Sequence, residues 1–531
     1  MALWLLCAAY VLPGLIGRDP WRSADVQAFG LMAAMAEGRS SWWLPTLGGM
    51  PVDAALLPHW LGALFITANQ GWMDPALAAR LPFALLLALT LGLVWYSTYF
   101  LARTEAAQPV AFAFGGEADP VAYARAMADG GLLALMATLG LLQLGHETTP
   151  ELVQLFAVSL LLYGLSAVPY RHQRARAAVI LALPLLAASG APTIALVAGL
   201  GGWLICLRSS LPEPRAFAPW VLASIALAAF AGWALGAWQW RAVGIDGDGL
   251  VGIARQWLWF LWPSWPLALW TLWRWRRQLL YRHLSVPLTL LIAALAANLA
   301  MDGSDRALML GLPAIAVLAA FALPTLKRGA SAAIDWFSMF FFTLCALTIW
   351  VIYLAMQWGV PAKPAANVAK LAPDFVAQFS ALPLALAALG SLAWVGLVRW
   401  RTGRHREALW KSLVLPAGGV ALSWLLLMTL WLPLLDHARS ARPLVTRLAP
   451  HVPAGACIAA PGLAPATVAA LEHFGRWTVD AGDARKSACA ILLRQSKTRP
   501  LAPAPAGWET LAEVRRTTDR DEITQVFRRA P

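Results

Sequence analysis

RDPWRSADVQAFGLMAAMAEGRSSWWLPTLGGMPVDAALLPHW, running from Arg18 to Trp60, separates one apolar segment from the many that follow it. It holds Asp19, Asp25, Glu37 and Asp53, three arginines and His59, in a chain whose charged residues are only 13% of the total. Charge beside a bilayer core is costly and is kept where function needs it. Two readings follow: a solvated loop, or a polar site held against a membrane surface. Val26, Phe29, Met32, Ala33 and Ala36 recur with helical spacing, which predicts an amphipathic helix lying on the membrane surface. Asp25 then falls in its first turn or at its N-cap, where aspartate is favoured in any case.

Composition sets the class. Hydrophobic residues make up 60% of the chain, the mean hydropathy is +0.61, and apolar runs near membrane-spanning length recur. An open sheet is excluded, because lipid cannot satisfy its edge hydrogen bonds. The 29 tryptophans suit interfacial belts. The chain is therefore read as an all-α polytopic membrane protein. Spans are expected at 2–17, 80–102, 130–145, 152–169, 177–190, 192–207, 218–238, 256–272, 284–300, 307–326, 334–356, 378–398 and 412–434, about thirteen helices. The pair meeting at Ser189-Gly190-Ala191-Pro192 also reads as one broken helix.

The net charge of +13 invites a nucleic-acid reading. The cations, however, sit mainly in short loops between apolar segments, so membrane orientation accounts for them and nucleic acid is set aside. Each alternate loop on one side is basic, from Arg103 and Arg125 in the first to Arg399, Arg401, Arg404, Arg406 and Lys411 in the last. The positive-inside rule makes that side cytoplasmic, with the N-terminus. Residues 18–60 and the C-terminus then lie outside, in the periplasm if the cell is bacterial.

After Leu435 the composition turns basic and proline-rich, with short apolar runs at 457–462 and 489–495. This divides the chain into a membrane domain, 1–435, and a small extracytoplasmic α/β domain, 436–531. Cys457 and Cys489 each open one of the strand-like runs; they either pair or are simply buried. No CxxC, HExxH or P-loop motif occurs, which argues against a zinc protease or an ATP-driven pump.

ADVQAFGLMAAMAEGRSSWWLPTLGGMPVDAALLPHWLGALF, followed by AARLPFALL, resembles the bacterial aminoarabinose-transferase and protein O-mannosyltransferase superfamily, of GT-C architecture. The matching positions include Asp25, Phe29, Met35, Trp43, Pro45, Gly49, Pro51, Trp60, Arg80 and Pro82. GHETTPE, 145–151, resembles the family's short external turn ending in T-P-D, and GSDRALMLGLPAIAVL, 303–318, its lysine-bearing segment. The chain departs from the pattern as well. The acidic residue after the family's aspartate is Val26, and its E-K-P-P reads Asp53-Ala54-Ala55-Leu56. Arg306 stands for the second lysine and Leu310 for a tyrosine.

The resemblance implies transfer of a sugar from a polyprenyl-phosphate carrier to an acceptor outside the cytoplasmic membrane. Asp25 is then the catalytic carboxylate that takes the acceptor's proton. Arg22, Arg255 or Arg306 serves the phosphate in place of the missing lysine, since arginine offers a fork of donors. Otherwise the site binds differently, or catalysis is lost. Asp19 is either a second carboxylate of the site or a cap beside Pro20. Asp53 and His59 are candidates to bind acceptor or a divalent metal; the sequence names no other cofactor and does not decide metal dependence. Glu147 and Glu151 suit a helix start, and Glu151 is also a candidate to face the site. Two other functions remain: a transporter or flippase for a lipid-linked substrate, and a non-catalytic descendant that binds polyprenyl lipid.

Overall fold

The computed structural model describes residues 2–21, 23–53, 55–108, 119–238, 247–403, 409–484, 486–497, 501, 503–516 and 522–530. The first half comprises α1 (Ala2–Val11), α2 (Ala24–Ala36), the short strands β1 (Thr46–Leu47) and β2 (Met50–Pro51), α3 (Leu56–Ala68), α4 (Pro75–Ala102), α5 (Pro120–Ala137), α6 (Leu139–Leu144), α7 (Pro150–Ala167), α8 (His172–Ala188), α9 (Pro192–Arg208) and α10 (Pro212–Ala234). There follow α11 (Gly247–Phe260), α12 (Ser264–Arg274), α13 (Arg282–Ala300), α14 (Asp305–Met309), α15 (Leu312–Ala320), α16 (Arg328–Trp358), α17 (Ala362–Leu371), α18 (Ala381–Thr402) and α19 (Val414–Leu430). The chain ends in α20 (Leu432–Arg439), α21 (Arg442–Leu448), β3 (Cys457–Ala459), α22 (Pro465–Gly475), β4 (Thr478–Asp480), β5 (Ile491–Ser496), β6 (Trp508–Arg515) and β7 (Ile523–Arg529).

The protein is an all-α multi-pass membrane protein with a small C-terminal sheet domain. Among the described residues eight helices are long and apolar enough to cross a membrane, whereas α1, α9 and several other expected spans are shorter. Two expected spans are each divided into two helices. The span expected at 130–145 begins ten residues earlier, at Pro120, because the Asp119 side chain caps it by accepting from the Ala122 backbone N at 2.9 Å. It also ends early: Leu139 N donates to Trp262 O and Thr138 Oγ1 bonds Ala134 O and Ser264 Oγ, which breaks it from α6. The span expected at 256–272 is likewise two helices, separated at Pro263. At Ser189–Ala191 the chain forms two helices, α8 and α9, with Gly190 in the left-handed region at φ +92°.

The C-terminal sheet has the order β4-β3-β5-β7-β6. β3 lies parallel to both β4 and β5, while β7 pairs antiparallel with β5 and β6. Cys457 and Cys489 form a disulfide at the start of this sheet.

Its docking decides the environment of α2, and here the amphipathic surface helix is corrected. Every residue from Asp25 to Met35 except Gln27 is buried, because α2 is covered by α3 on one side and α22 on the other. The approach is close enough to demand glycine. A Cβ on Gly30 would lie 2.4 Å from the Ala469 Cβ, and one on Gly62 would lie 2.3 Å from the Met32 sulfur. Trp21 also bridges Ser440 as an isolated antiparallel pair. The segment between α1 and α3 is thus filling between two layers, which hydropathy along α2 alone does not reveal.

Candidate active site

In the short turn after α6, His146-Glu147-Thr148-Thr149, the last three residues are buried and His146 is half-buried, and every member engages a charged partner brought from elsewhere in the chain. Arg18 donates to His146 O at 2.5 Å. The Asp25 Oδ1 accepts from Thr148 N at 2.9 Å and from Thr148 Oγ1 at 2.8 Å. Arg306 donates to Glu147 at 2.5 Å, to Thr149 Oγ1 at 2.9 Å and to Glu151 at 3.3 Å. Pro150 then starts α7, and Glu151 stands in its first turn. One six-residue stretch therefore joins two arginine–carboxylate groups.

The first group is the drier. Asp25 is 1% exposed, and its Oδ2 accepts from Trp21 N at 3.1 Å and faces Arg18 at 3.6 Å. Val26 N returns a bond to Trp21 O, so Asp25 closes the start of α2 reciprocally with the backbone. Burial by itself would raise the Asp25 pKa. The charges of Arg18 and Arg80 and the two Thr148 bonds outweigh it and hold the carboxyl below the ordinary aspartate range. Arg18 Nε and Nη1 and Arg80 Nε are buried donors with no acceptor among the described residues. Arg18 also lies 4.9 Å from the Trp21 ring centre.

The second group is more open. The Arg306 and Glu151 side chains are 21% and 24% exposed, against 3% for Glu147. Burial and the neighbouring Asp25 carboxylate push the Glu147 pKa up, against the pull of Arg306 and Gln143. Asp25 and Glu147, joined through Thr148, thus titrate in opposite directions, the pattern that separates proton-holding from charge-holding groups.

The other residues singled out from sequence disperse. Asp19 is bound in a fork by Arg442 at 2.9 and 2.6 Å, while its N–H donates to Asp436 at 3.3 Å, so it ties the loop to the C-terminal segment. Asp436 also accepts from Trp21 Nε1 at 2.8 Å, and burial raises its pKa to about 7. His59 is buried in α3, its Nδ1 donating to Ala55 O at 2.5 Å, and burial lowers its pKa. Asp53 is on the exposed part of the loop. Among the described residues no three His, Cys, Asp or Glu side chains gather to hold a metal, so the Asp53–His59 pair gains no further ligand. Arg255 is exposed on α11 and meets no charged partner among the described residues, although its neighbour Gln256 holds Gly303 O at 2.7 Å, three residues before Arg306. Arg22 lies outside the described residues.

Arg18, Arg80, Glu147 and Thr148 were not put forward from the sequence. Arg80 had a legible signal, a charge six residues into a 28-residue apolar helix. In sequence Glu147 reads as a helix-start residue. Its partner, Arg306, is 159 residues away, and no local pattern announces such a pair.

The fold is that of a multi-pass membrane protein with a buried polar knot beside α2 and α7. No protein-family model matches the chain, and no curated protein matches it. Its structure is similar to that of ArnT, the aminoarabinose transferase, from Cupriavidus metallidurans bound to undecaprenyl phosphate, with a TM-score of 0.63 at 14% identity over 99% of this chain and 96% of that one. The same protein in the apo state gives a TM-score of 0.59 at the same identity and coverage.

Proposed function

We propose that this chain is a membrane glycosyltransferase that moves a sugar from a polyprenyl-phosphate carrier to a hydroxyl-bearing acceptor outside the cytoplasm. The observation that carries the reading is the gathering of Arg18, Arg80 and Arg306 with Asp25, Glu147 and Glu151 around residues 146–151. It is supported by the fold, which is shared with a transferase crystallised with undecaprenyl phosphate.

In the reaction the bond from the sugar's anomeric carbon to the carrier phosphate breaks, and one to the acceptor oxygen forms. The acceptor proton goes to a carboxylate, and the carrier phosphate leaves with the electron pair of the broken anomeric bond. Arg306, half-buried, is the least buried cation of the group, and its 3.3 Å contact with Glu151 is the longest of its three. A carrier phosphate takes the place of Glu151 on the guanidinium, which leaves Glu151 free to accept the proton. Asp25, saturated by Thr148, Trp21 and Arg18, acts as a positioning residue that fixes the turn. No step here requires a metal.

The same saturation of Asp25, together with Ala54 where the related pattern has lysine, favours a second reading, a non-catalytic binder of polyprenyl phosphate. Membranes with and without the protein, given radiolabelled polyprenyl-phosphate sugars and a mixed acceptor fraction, separate the two. Label passing to acceptor supports the transferase. Label retained on the protein and never transferred sinks it. We place the chain in the bacterial inner membrane with its N-terminus cytoplasmic and its C-terminal domain periplasmic. A reporter active only outside the cytoplasm should then work after Ala530 and fail after Gly403.

A further inference from the structure

The opposite end of α4 carries a second polar feature that the reaction does not use. From Arg80 to Arg103 the helix rises roughly 34 Å at 1.5 Å per residue, about the thickness of a bilayer's hydrocarbon core. At that far end α4, α5, α7 and α8 enclose a cavity of about 730 Å³. Four arginines line it: Arg103, Arg125, Arg171 and Arg174. None of their side chains donates a hydrogen bond or meets a carboxylate among the described residues; Arg103 only stacks, 4.6 Å from the Tyr170 ring centre and 5.7 Å from that of Tyr99. Ring stacking uses the face of a guanidinium and leaves its edge donors free.

Orientation in the membrane accounts for basic loops, but it does not account for their convergence on one cavity. Four cations without a carboxylate partner among the described residues, set around a common space, repel one another and favour an anion among them. The remaining wall is aromatic: Trp95 and Tyr99 stack at 5.5 Å, and Tyr96 and Tyr163 line the same space. Tyr96 is 51% exposed on the flank of a membrane-crossing helix. A soluble anion has no use for such a wall. An amphiphile does, because its tail lies along the aromatic flank while its head reaches the arginines.

We propose that this cavity binds the phosphate headgroup of a lipid in the membrane leaflet opposite the candidate active site. Arginine forks take the phosphate oxygens in pairs, and the aromatic flank takes the first part of the chain. The inference stands apart from the transferase reading, since it uses none of the same residues.

The test uses the full-length protein in phosphatidylcholine nanodiscs containing a photoreactive phosphatidic acid. Peptides spanning Leu93–Arg103 and Tyr163–Arg174 should be labelled. The triple variant R103Q/R171Q/R174Q should lose that labelling by more than about tenfold, the scale of losing charge-assisted bonds. Its thermal melting and its labelling near Arg306 by a photoreactive polyprenyl phosphate are to be measured alongside, and both should be unchanged. A single R125Q variant, on the exposed edge, should give a partial loss if the larger variant fails to fold. Equal labelling by a photoreactive phosphatidylcholine, or labelling untouched by the substitutions, identifies ordinary boundary lipid and overturns the proposal. Full displacement by inorganic phosphate overturns it too, by showing that the site takes a free anion.

Discussion

Asp25 grips Thr148 twice, through the backbone N at 2.9 Å and the hydroxyl at 2.8 Å, across 123 residues of sequence. That contact fastens the segment between α1 and α3 to the turn that carries Glu147 and leads into Glu151. Disturbing either partner is therefore expected to move the whole group of charges.

Asp25→Ala removes one member of a buried arrangement containing Arg18 and Arg80, and such losses cost about 3–5 kcal/mol. Asp25→Asn keeps the shape but has one acceptor oxygen for the donors that now share two. It should fold with a lowered melting temperature and lose most transfer. Thr148→Val should mimic it, because both act by releasing the turn. If Asp25 is instead the base, Asp25→Asn should lose transfer by roughly a hundredfold or more while Thr148→Val stays largely active. The depressed pKa adds a pH signature. Its stabilisation is present above the unfolded value near 3.9 and is lost only as pH falls through the lower folded value.

Glu147 has the opposite sign. Its raised folded pKa gives stability that is complete below the ordinary glutamate value, about 4.3, and is lost as pH rises through the folded pKa. Glu147→Gln retains one acceptor oxygen for Arg306 and removes the charge, while its amide faces the Gln143 amide donor. Melting of this variant across a pH series should be flatter than wild type and no less stable at neutral pH. A parallel pair of curves would sink the assignment.

Arg306→Ala should weaken binding of polyprenyl phosphate and leave Glu147 and Glu151 without their shared cation. Arg306→Lys should recover part of the affinity, because the charge survives and the fork does not. Unchanged lipid affinity in the alanine variant would falsify its role at the phosphate.

Asp436, with its pKa raised to about 7, should make the docking of the C-terminal segment depend on pH near neutrality. The sign follows from the raised value: the contribution is complete at acid pH and declines as pH rises through 7. Asp436→Asn keeps an acceptor for Trp21 Nε1 and should abolish the step. Hydrogen exchange of the backbone around Trp21 and Ser440, followed from pH 6 to 8, reads it directly.

Much of this molecule is written locally. Apolar run length and loop charge define the polytopic class, because lipid enforces them residue by residue. The strand-like runs at Cys457 and Cys489 mark the small sheet domain, and the helix at Ala24–Ala36 with Asp25 in its first turn follows from spacing. Tertiary structure alone decided the surroundings. Whether α2 meets water, lipid or protein depends on where α22 docks, and Gly30 against Ala469 settles that across more than four hundred residues. Which cation each carboxylate meets was equally hidden: Asp19 goes to Arg442, Glu147 to Arg306, and Asp25 to Arg18. Charge pairing acts through space and carries no period along the chain. The sequence supplied the charged groups, and only the packing of distant helices selected their partners.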